Sequence, residues 1–309
     1  MYAMENERFA ALTVAVTLAR DAASKPGDPT LVSKITAIDA VYLELAADAG
    51  AEQQLRAHME ATLVLLLENP GQLERFAFAA TLGTGGQGPY FARLMLICKE
   101  RAGKLQAKEL LPVIGSLRRA KQYADMDVCV GLLDQKLEGD DSQTAWATRS
   151  KATYDQSMAA EQQAKASLSP TTATKLYRLA VQLAEQSAEQ ALTGGDPIGR
   201  LYALMNISGL FLPALGQWQE GLALSEDVSR QARILAASAD DDTRKRIQRI
   251  DMNCLFHRTE MAVRHEGSVA DVERWVAELE GNPVYQDSKA QDWAKEYMGR
   301  ATDYITSKQ

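Results

Sequence analysis

Cysteine is scarce in this sequence, and its spacing excludes a disulfide framework. The chain has 309 residues and three cysteines, Cys98, Cys129 and Cys254, with no CxxC pair among them. A disulfide framework needs an even set of cysteines at suitable spacings. We therefore expect three reduced thiols that act as small apolar residues, which favours a cytoplasmic protein.

Long apolar runs are also lacking. No segment reaches the roughly 20 consecutive apolar residues that a helix needs to span a bilayer, so we expect no membrane partner. Residues 10–19, AALTVAVTLA, have the length of the apolar part of an export signal. The preceding residues carry Glu5 and Glu7 against one basic residue, Arg8, whereas an export signal begins with basic residues. A cytoplasmic location is favoured, and an export signal at 10–19 is the alternative.

Basic residues are outnumbered by acidic ones. The formal net charge is -7 and the pI is about 5.2. Such a chain repels nucleic acid and anionic lipid unless its basic residues form a separate face. Basic clusters occur at 118–121 and 244–246, but acidic residues lie close by at Asp125 and 240–242. We interpret both clusters as solvated helix faces and expect no nucleic-acid partner.

Aromatic residues make up 6% of the chain, and no segment shows the apolar–polar alternation of a β-strand. Good helix formers such as Ala, Leu, Gln and Glu are abundant throughout. Breaks such as KPGDP, ENPG and TGGDP separate about thirteen helices joined by short loops, the last near 286–306. The pattern predicts an all-α protein, either a bundle or an α-solenoid of stacked antiparallel helix hairpins.

A long helix is expected to start after EGDDS, and the chain is expected to consist of two regions that meet there. The first, residues 1–139, reads as helix pairs without a recognisable repeat motif. The second, residues 140–309, reads as a helical repeat region that ends in a capping helix.

A glycine-rich stretch at 81–90, TLGTGGQGPY, raises the question of a phosphate-binding loop. A P-loop follows a strand and ends in Gly-Lys-Ser or Gly-Lys-Thr. Here residues 74–80 read as helix, and the stretch closes with Pro89 and Tyr90. A dinucleotide fingerprint would also need an upstream strand and a βαβ unit. The stretch predicts a flexible connection between helices, and a helical enzyme or small-ligand receptor with a pocket near it is the alternative function.

Histidine is rare, and only one grouping resembles a metal site. Cys254, His257 and either Glu260 or His265 lie on one predicted helix. Ligands from a single helix leave a tetrahedral site incomplete, and the sequence indicates no ligand from another helix. We expect neither a metal nor a cofactor.

The acidic runs at 139–142 and 240–243 are contiguous and stand at predicted helix starts. Carboxylates there cap free amides and oppose the helix dipole, whereas acids that hold magnesium diphosphate are spaced along a helix. GxSxG is absent. We therefore expect a protein that is not an enzyme.

A repeat-like pattern occurs at 204–232, LMNISGLFLPALGQWQEGLALSEDVSRQA. Gly209 lies within one helix, Gly216 ends it, Trp218 opens the next, and Gly221 follows within that second helix. This spacing resembles the tetratricopeptide repeat, in which small residues let paired helices approach and an aromatic residue fills the gap between them.

The resemblance has departures. Ser225 stands where the family prefers a large apolar residue, and Arg233 falls near its closing proline position. Residues 241–283 resemble a degenerate second copy, with Gly267 at the turn and Pro283 near the closing position.

Tetratricopeptide-like arrays typically bind partners in a concave groove lined by the first helix of each pair. The resemblance therefore implies a non-catalytic adaptor or sensor that binds a protein or peptide, and a purely structural oligomer is a third possibility. If the helices are aligned with the repeat as described above, the side chains in or beside the groove are Asn206, Leu210, His257, Arg258, Met261 and Arg264.

Overall fold

The computed structural model describes residues 2–25, 27–83, 88–288 and 291–308. They form two compact units, Met1–Asp141 and Ser142–Gln309. The boundary lies close to the one that the sequence predicts between residues 139 and 140.

The first unit contains α1 (Tyr2–Ser24), α2 (Leu31–Ala46), α3 (Glu52–Leu67), α4 (Pro70–Gly83), α5 (Pro89–Arg101), α6 (Ala107–Arg119) and α7 (Tyr123–Lys136). Helix α4 packs against α1, α2, α3 and α6. Phe76 of α4 and Phe91 of α5 are fully buried, with ring centroids 6.3 Å apart. Burying an aromatic ring of this size stabilises the fold by about 2–3 kcal/mol, and this ring pair joins α4 to α5 in the interior of the unit.

The second unit begins with α8 (Gln143–Ala166), α9 (Pro170–Thr193) and α10 (Pro197–Asn206). Helix α10 continues through a π-helical turn (Ile207–Phe211) and one last α-turn (Leu212–Ala214). It is followed by α11 (Trp218–Ala236), α12 (Asp241–Arg264), α13 (Val269–Glu280), α14 (Pro283–Ser288) and α15 (Asp292–Lys308).

All regular secondary structure in the described ranges is helical, which confirms the predicted all-α class. These ranges hold fifteen helices, more than the predicted thirteen or so. Near the C-terminus, where the sequence predicts one helix at 286–306, the structure has the separate helices α14 and α15. None of the helices in these ranges combines the length and apolar character needed to cross a bilayer.

Helices α8 and α9 form a closely packed antiparallel hairpin. Ser150 and Ser187 each donate a hydroxyl hydrogen bond to the other's carbonyl oxygen at 2.9 Å. A Cβ on Gly194 would lie 2.5 Å from the backbone nitrogen of Ala147. Small side chains let the two helices approach closely. The hydroxyls of Ser150 and Ser187 are buried at this contact, and their mutual hydrogen bonds avoid the free-energy cost of unpaired buried polar groups.

N-cap side chains stabilise the first turn of most helices in the second unit. Ser142, Ser169, Asp196, Asp240 and Ser268 each accept a hydrogen bond from a backbone amide of the first turn. Such a cap is worth about 1 kcal/mol. The predicted capping by the acidic runs is confirmed for Asp240, whereas in the run at 139–142 the capping side chain is Ser142.

The π-helical turn has a local cause in Pro213. Proline lacks an amide hydrogen, and its ring clashes with the carbonyl four residues earlier, which here belongs to Gly209. A wider turn relieves that clash. Gly216 then ends the segment with a φ of 80°, a conformation that glycine adopts without strain.

Candidate functional site

Two adjoining cavities lie on the second unit, beside α11, α12 and α13. One has a volume of about 420 Å³, and we call it the arginine pocket; it is lined by Glu226, Ser229, Arg230, Arg233, Ile234, Arg258, Arg274, Trp275 and Glu278. The other, of about 470 Å³, shares Arg233 and Glu278 and extends to Asp251 and Asn282.

Charged residues at helical spacing create the walls of the arginine pocket. On α11, Glu226, Arg230 and Arg233 follow the i, i+4, i+7 pattern and therefore share one face. On α13, Arg274 and Glu278 are a turn apart and also share a face. The pocket lining has four arginines and two glutamates. Three further carboxylates, those of Asp227, Asp251 and Asp271, pair with Arg230, Arg233 and Arg274.

Arg233 separates the two cavities. Its Nε donates to both carboxylate oxygens of Asp251, at 3.2 and 3.1 Å, and its Nη2 donates to Oε2 of Glu278 at 2.6 Å. Asp251 is buried and also accepts a hydrogen bond from the hydroxyl of Ser229. A guanidinium held by two carboxylates loses little further freedom on binding a partner, so this wall is rigid.

Arg258 lines the pocket from α12 and is only 5% exposed. Its Nη2 donates to the Ser229 hydroxyl at 3.1 Å, and its Nε donates to the Cys254 carbonyl at 3.4 Å. Among the described residues its nearest carboxylate is Glu226, 3.9 Å from Nη1. Burial lowers the pKa of Arg258, but an arginine keeps its charge. The pocket therefore contains a buried cation whose nearest counter-charge is the exposed Glu226, with Glu278 and Asp251 acting on it from farther away.

Trp275 stands beside Arg258 and is also buried. The guanidinium carbon of Arg258 lies 5.4 Å from the indole centroid, and that of Arg274 lies 5.6 Å from it. The indole Nε1 is buried and has no hydrogen-bond acceptor among the described residues. Both Arg258 and Trp275 thus offer donor capacity that the protein leaves unused.

The structure places half of the predicted groove residues in the interior. Asn206, Arg258 and Met261 are buried. The prediction placed these side chains on an open groove, so its assignment of which helix face is exposed needs correction. Asn206 donates from Nδ2 to the Tyr154 hydroxyl at 2.7 Å and approaches the sulfur of Met158 at 3.3 Å. The physical reason for the burial of Asn206 is that its side chain meets Tyr154 and Met158 of α8 on the face that the prediction left open.

The other predicted residues lie near the π-helical turn or on the surface. His257 is partly buried and occupies the place where a side chain of Gly209 would lie. Leu210 is partly buried in the apolar cluster around Phe211. Arg264 is exposed and donates to Glu260 at 2.6 Å. Of the six residues, only Arg258 lies in the arginine pocket. The other lining residues belong to α11 and α13.

Sequence reasoning missed Arg230, Arg233, Arg274, Trp275 and Glu278. The sequence does contain a pattern that indicates these charged faces, because acidic and basic residues repeat at helical spacing on both α11 and α13. The sequence does not show that the two faces lie next to each other, since that depends on how three helices pack.

The predicted absence of a metal can be compared with the geometry around Cys254. Cys254 is buried as a thiol, because burial raises its pKa to about 12, and the imidazole of His265 stacks on Trp218 at 4.9 Å. Within the described ranges, no group of three or more His, Cys, Asp or Glu side chains could hold a metal ion.

The glycine-rich stretch is described only at its ends. Helix α4 ends at Gly83 and α5 begins at Pro89, while residues 84–87 lie outside the described residues. The buried carboxylate of Asp39 accepts a hydrogen bond from the Tyr90 amide at 3.0 Å, and burial raises its pKa. A side chain at Gly88 would collide with that carboxylate. Asp39 and Gly88 thus fix the start of α5.

A cavity of about 330 Å³ in the first unit is lined in part by Tyr42, Arg56 and Arg93. Arg56 donates to Glu100 at 2.6 Å and to Glu60 at 3.1 Å. Its guanidinium is therefore already neutralised within the unit, as that of Arg233 is in the arginine pocket, whereas Arg258 has no carboxylate within hydrogen-bond distance among the described residues.

The arginine pocket is consequently the strongest candidate site, since it combines a cavity with a buried arginine that has no carboxylate within hydrogen-bond distance among the described residues. Comparison with known proteins adds no assignment, because no protein family and no curated protein matches this chain.

Proposed function

We propose that this protein is a non-catalytic interaction module of the tetratricopeptide-like α-solenoid type, and that it binds a protein segment at the arginine pocket. Three local features of the structure support the repeat assignment. Gly216 ends its helix with a positive φ, Gly221 lies where a Cβ would meet the Ser208 carbonyl at 2.6 Å, and Trp218 stacks on His265.

The observation that carries the binding role is the combination of charge and apolar surface at one place. Ile234 lies at the pocket and is 70% exposed, although it is a large apolar residue on a helix. Exposed apolar side chains beside fixed arginines are typical of surfaces that bind protein segments. A peptide could place an apolar side chain on Ile234 and polar groups over the arginines.

The nucleophilic and titrating groups support binding rather than catalysis. Burial raises the pKa of Cys98 to about 12 and that of Cys129 to about 11, so both are thiols at neutral pH. Burial lowers the pKa of His257 to about 4, so its imidazole is neutral. We further propose a cytoplasmic location, which the reduced state of the three buried cysteines supports.

A peptide-display selection tests the proposal. A library of random peptides is panned on the immobilised protein, and the enriched peptides are then measured on variants. We expect Ile234→Asp to weaken binding by about tenfold or more, because an interface anchor is worth about 2 kcal/mol.

Leu192→Asp is the matched control. Leu192 is 64% exposed and stands in the last turn of α9, as Ile234 does in the last turn of α11. It should bind the selected peptides as the unaltered protein does. The proposal is wrong if no peptide is enriched, or if the enriched peptides bind Ile234→Asp with unchanged affinity.

A further inference from the structure

We infer that the segment bound at the arginine pocket is acidic, and that one of its side-chain carboxylates pairs with Arg258. This inference rests on the proposed function and narrows it to one ligand chemistry.

The first argument is the incomplete neutralisation of Arg258. A buried cation is costly unless a counter-charge and hydrogen bonds replace its water. Arg258 has two neutral hydrogen-bond partners, and the nearest carboxylate among the described residues is 3.9 Å away. That carboxylate belongs to Glu226, whose side chain is 51% exposed and lies 3.6 Å from Arg274 as well. Glu226 therefore neutralises Arg258 only weakly.

The second argument is the unused donor of Trp275. The buried indole Nε1 finds no acceptor among the described residues, and an unsatisfied buried donor costs about 1–3 kcal/mol. The indole lines the pocket, but Nε1 itself is closed to solvent, so a ligand oxygen would reach it only after neighbouring side chains move. The cation of Arg258 in the same cavity indicates that such a group carries negative charge.

The third argument concerns the rim of the pocket. Arg230 and Arg274 are more than half exposed, and each is paired with an acidic residue on its own helix. Such surface pairs are worth about 0–1 kcal/mol, so a ligand carboxylate can compete for them. With Ile234 adjacent, the rim fits a segment that alternates acidic and apolar side chains.

The experiment uses two synthetic six-residue probes on the full chain. One is acetyl-Glu-Glu-Ile-Glu-Glu-Leu-amide, and its control replaces every Glu with Gln. We expect the acidic probe to bind about tenfold more tightly or better, since a charged hydrogen bond to a guanidinium is worth about 1.5–3 kcal/mol. Its affinity should fall as salt is raised, and the Nε–Hε resonance of Arg258 should shift on titration.

Variants separate recognition from structure. Arg258→Met removes the cation without leaving a buried charge, because Glu226, its nearest carboxylate, is half exposed and also lies 3.6 Å from Arg274. We expect it to lose about tenfold or more in affinity for the acidic probe, with a melting temperature that is unchanged or higher. Arg274→Gln, on the exposed rim, tests the same site if Arg258→Met does not fold. Arg178→Gln, an exposed arginine of α9 outside the pocket, is the matched control and should bind normally.

Each other outcome counts against the inference. Equal affinity for the Glu and Gln probes, or full binding by folded Arg258→Met, would overturn it. If Arg258→Met does not fold, full binding by Arg274→Gln would overturn it. Displacement of the acidic probe by inorganic phosphate at equal ionic strength would show a site for a free anion, and would also overturn it. Selected peptides that depend on Ile234 but lack acidic residues would reject this inference and leave the proposed function standing, whereas an empty selection rejects both.

Discussion

At the scale of single residues, burial determines the protonation state of His257. The imidazole lies against Gly209, and its Nδ1 has no hydrogen-bond partner among the described residues. Burial lowers its pKa from 6.5 to about 4, although Glu260 opposes the shift. The folded protein therefore holds this side chain neutral at a pH where the unfolded chain binds a proton.

The sign of the resulting pH dependence follows from proton linkage. Because the unfolded state binds more protons between pH 6.5 and pH 4, the free energy of unfolding decreases as the pH falls through that window. We expect His257 to account for about 2 kcal/mol of stability lost between pH 7 and pH 5. Chemical denaturation at both pH values, compared with His257→Met, measures this contribution. Equal losses in the two proteins would contradict the prediction.

Ser225 illustrates a departure from the repeat pattern that the structure explains. It stands where the tetratricopeptide family prefers a large apolar residue, and it is fully buried. Its hydroxyl donates to the Cys254 carbonyl at 3.2 Å. A small residue with a satisfied hydroxyl brings α11 close to α12, and thereby places Ser229 within reach of both Asp251 and Arg258.

At the scale of elements, the sequence predicts helix ends well because their causes are local. Asp240 caps α12 and Gly216 ends the segment before α11 by interactions within a few residues. The π-helical turn was not predictable in the same way. Proline is tolerated at helix starts, so the sequence alone does not show that Pro213 lies inside a helix. Pro213 widens the helical turn only because the helix continues through it.

Gly209 provides a test of that turn. A methyl group there would overlap the imidazole of His257, so we expect Gly209→Ala to destabilise the protein by about 1–3 kcal/mol through overpacking. Gly131→Ala on α7 is the matched control, because nothing lies within 4 Å of its added Cβ. It should stabilise the protein by about 0.4–1 kcal/mol.

A second substitution identifies the contact responsible. Adding His257→Ala to Gly209→Ala removes the overlapping ring, and thermal unfolding should show that the pair costs less than the sum of its single changes. Simple additivity would show that the glycine is needed for another reason.

At the scale of the whole molecule, composition and periodicity predict the all-α class, but not the site. The class follows from abundant helix formers and the missing strand pattern, which are properties of the sequence alone. The arginine pocket depends on how the consecutive helices α11, α12 and α13 pack, and a small rotation of one helix would move Arg258 away from Trp275. That is also why Asn206 and Met261, assigned to an open groove by phase alone, lie in the interior.

The second unit has its own apolar clusters. One, around Trp275 and Tyr297, lies on α12 to α15, and two others lie between α8 and α12. Because these cores are built from residues within the unit, a fragment of residues 140–309 should fold on its own. We expect a helical circular-dichroism spectrum and a single cooperative thermal transition.

A shorter fragment provides the control for this prediction. Residues 167–309 lack α8 and expose the buried small residues of α9, including Ala184 and Ser187. Loss of the reciprocal Ser150–Ser187 hydrogen bonds and of the tight hairpin should lower the melting temperature of this fragment well below that of 140–309. If the two fragments melt alike, α8 contributes little to the unit; if 140–309 shows no cooperative transition, its stability requires the first unit.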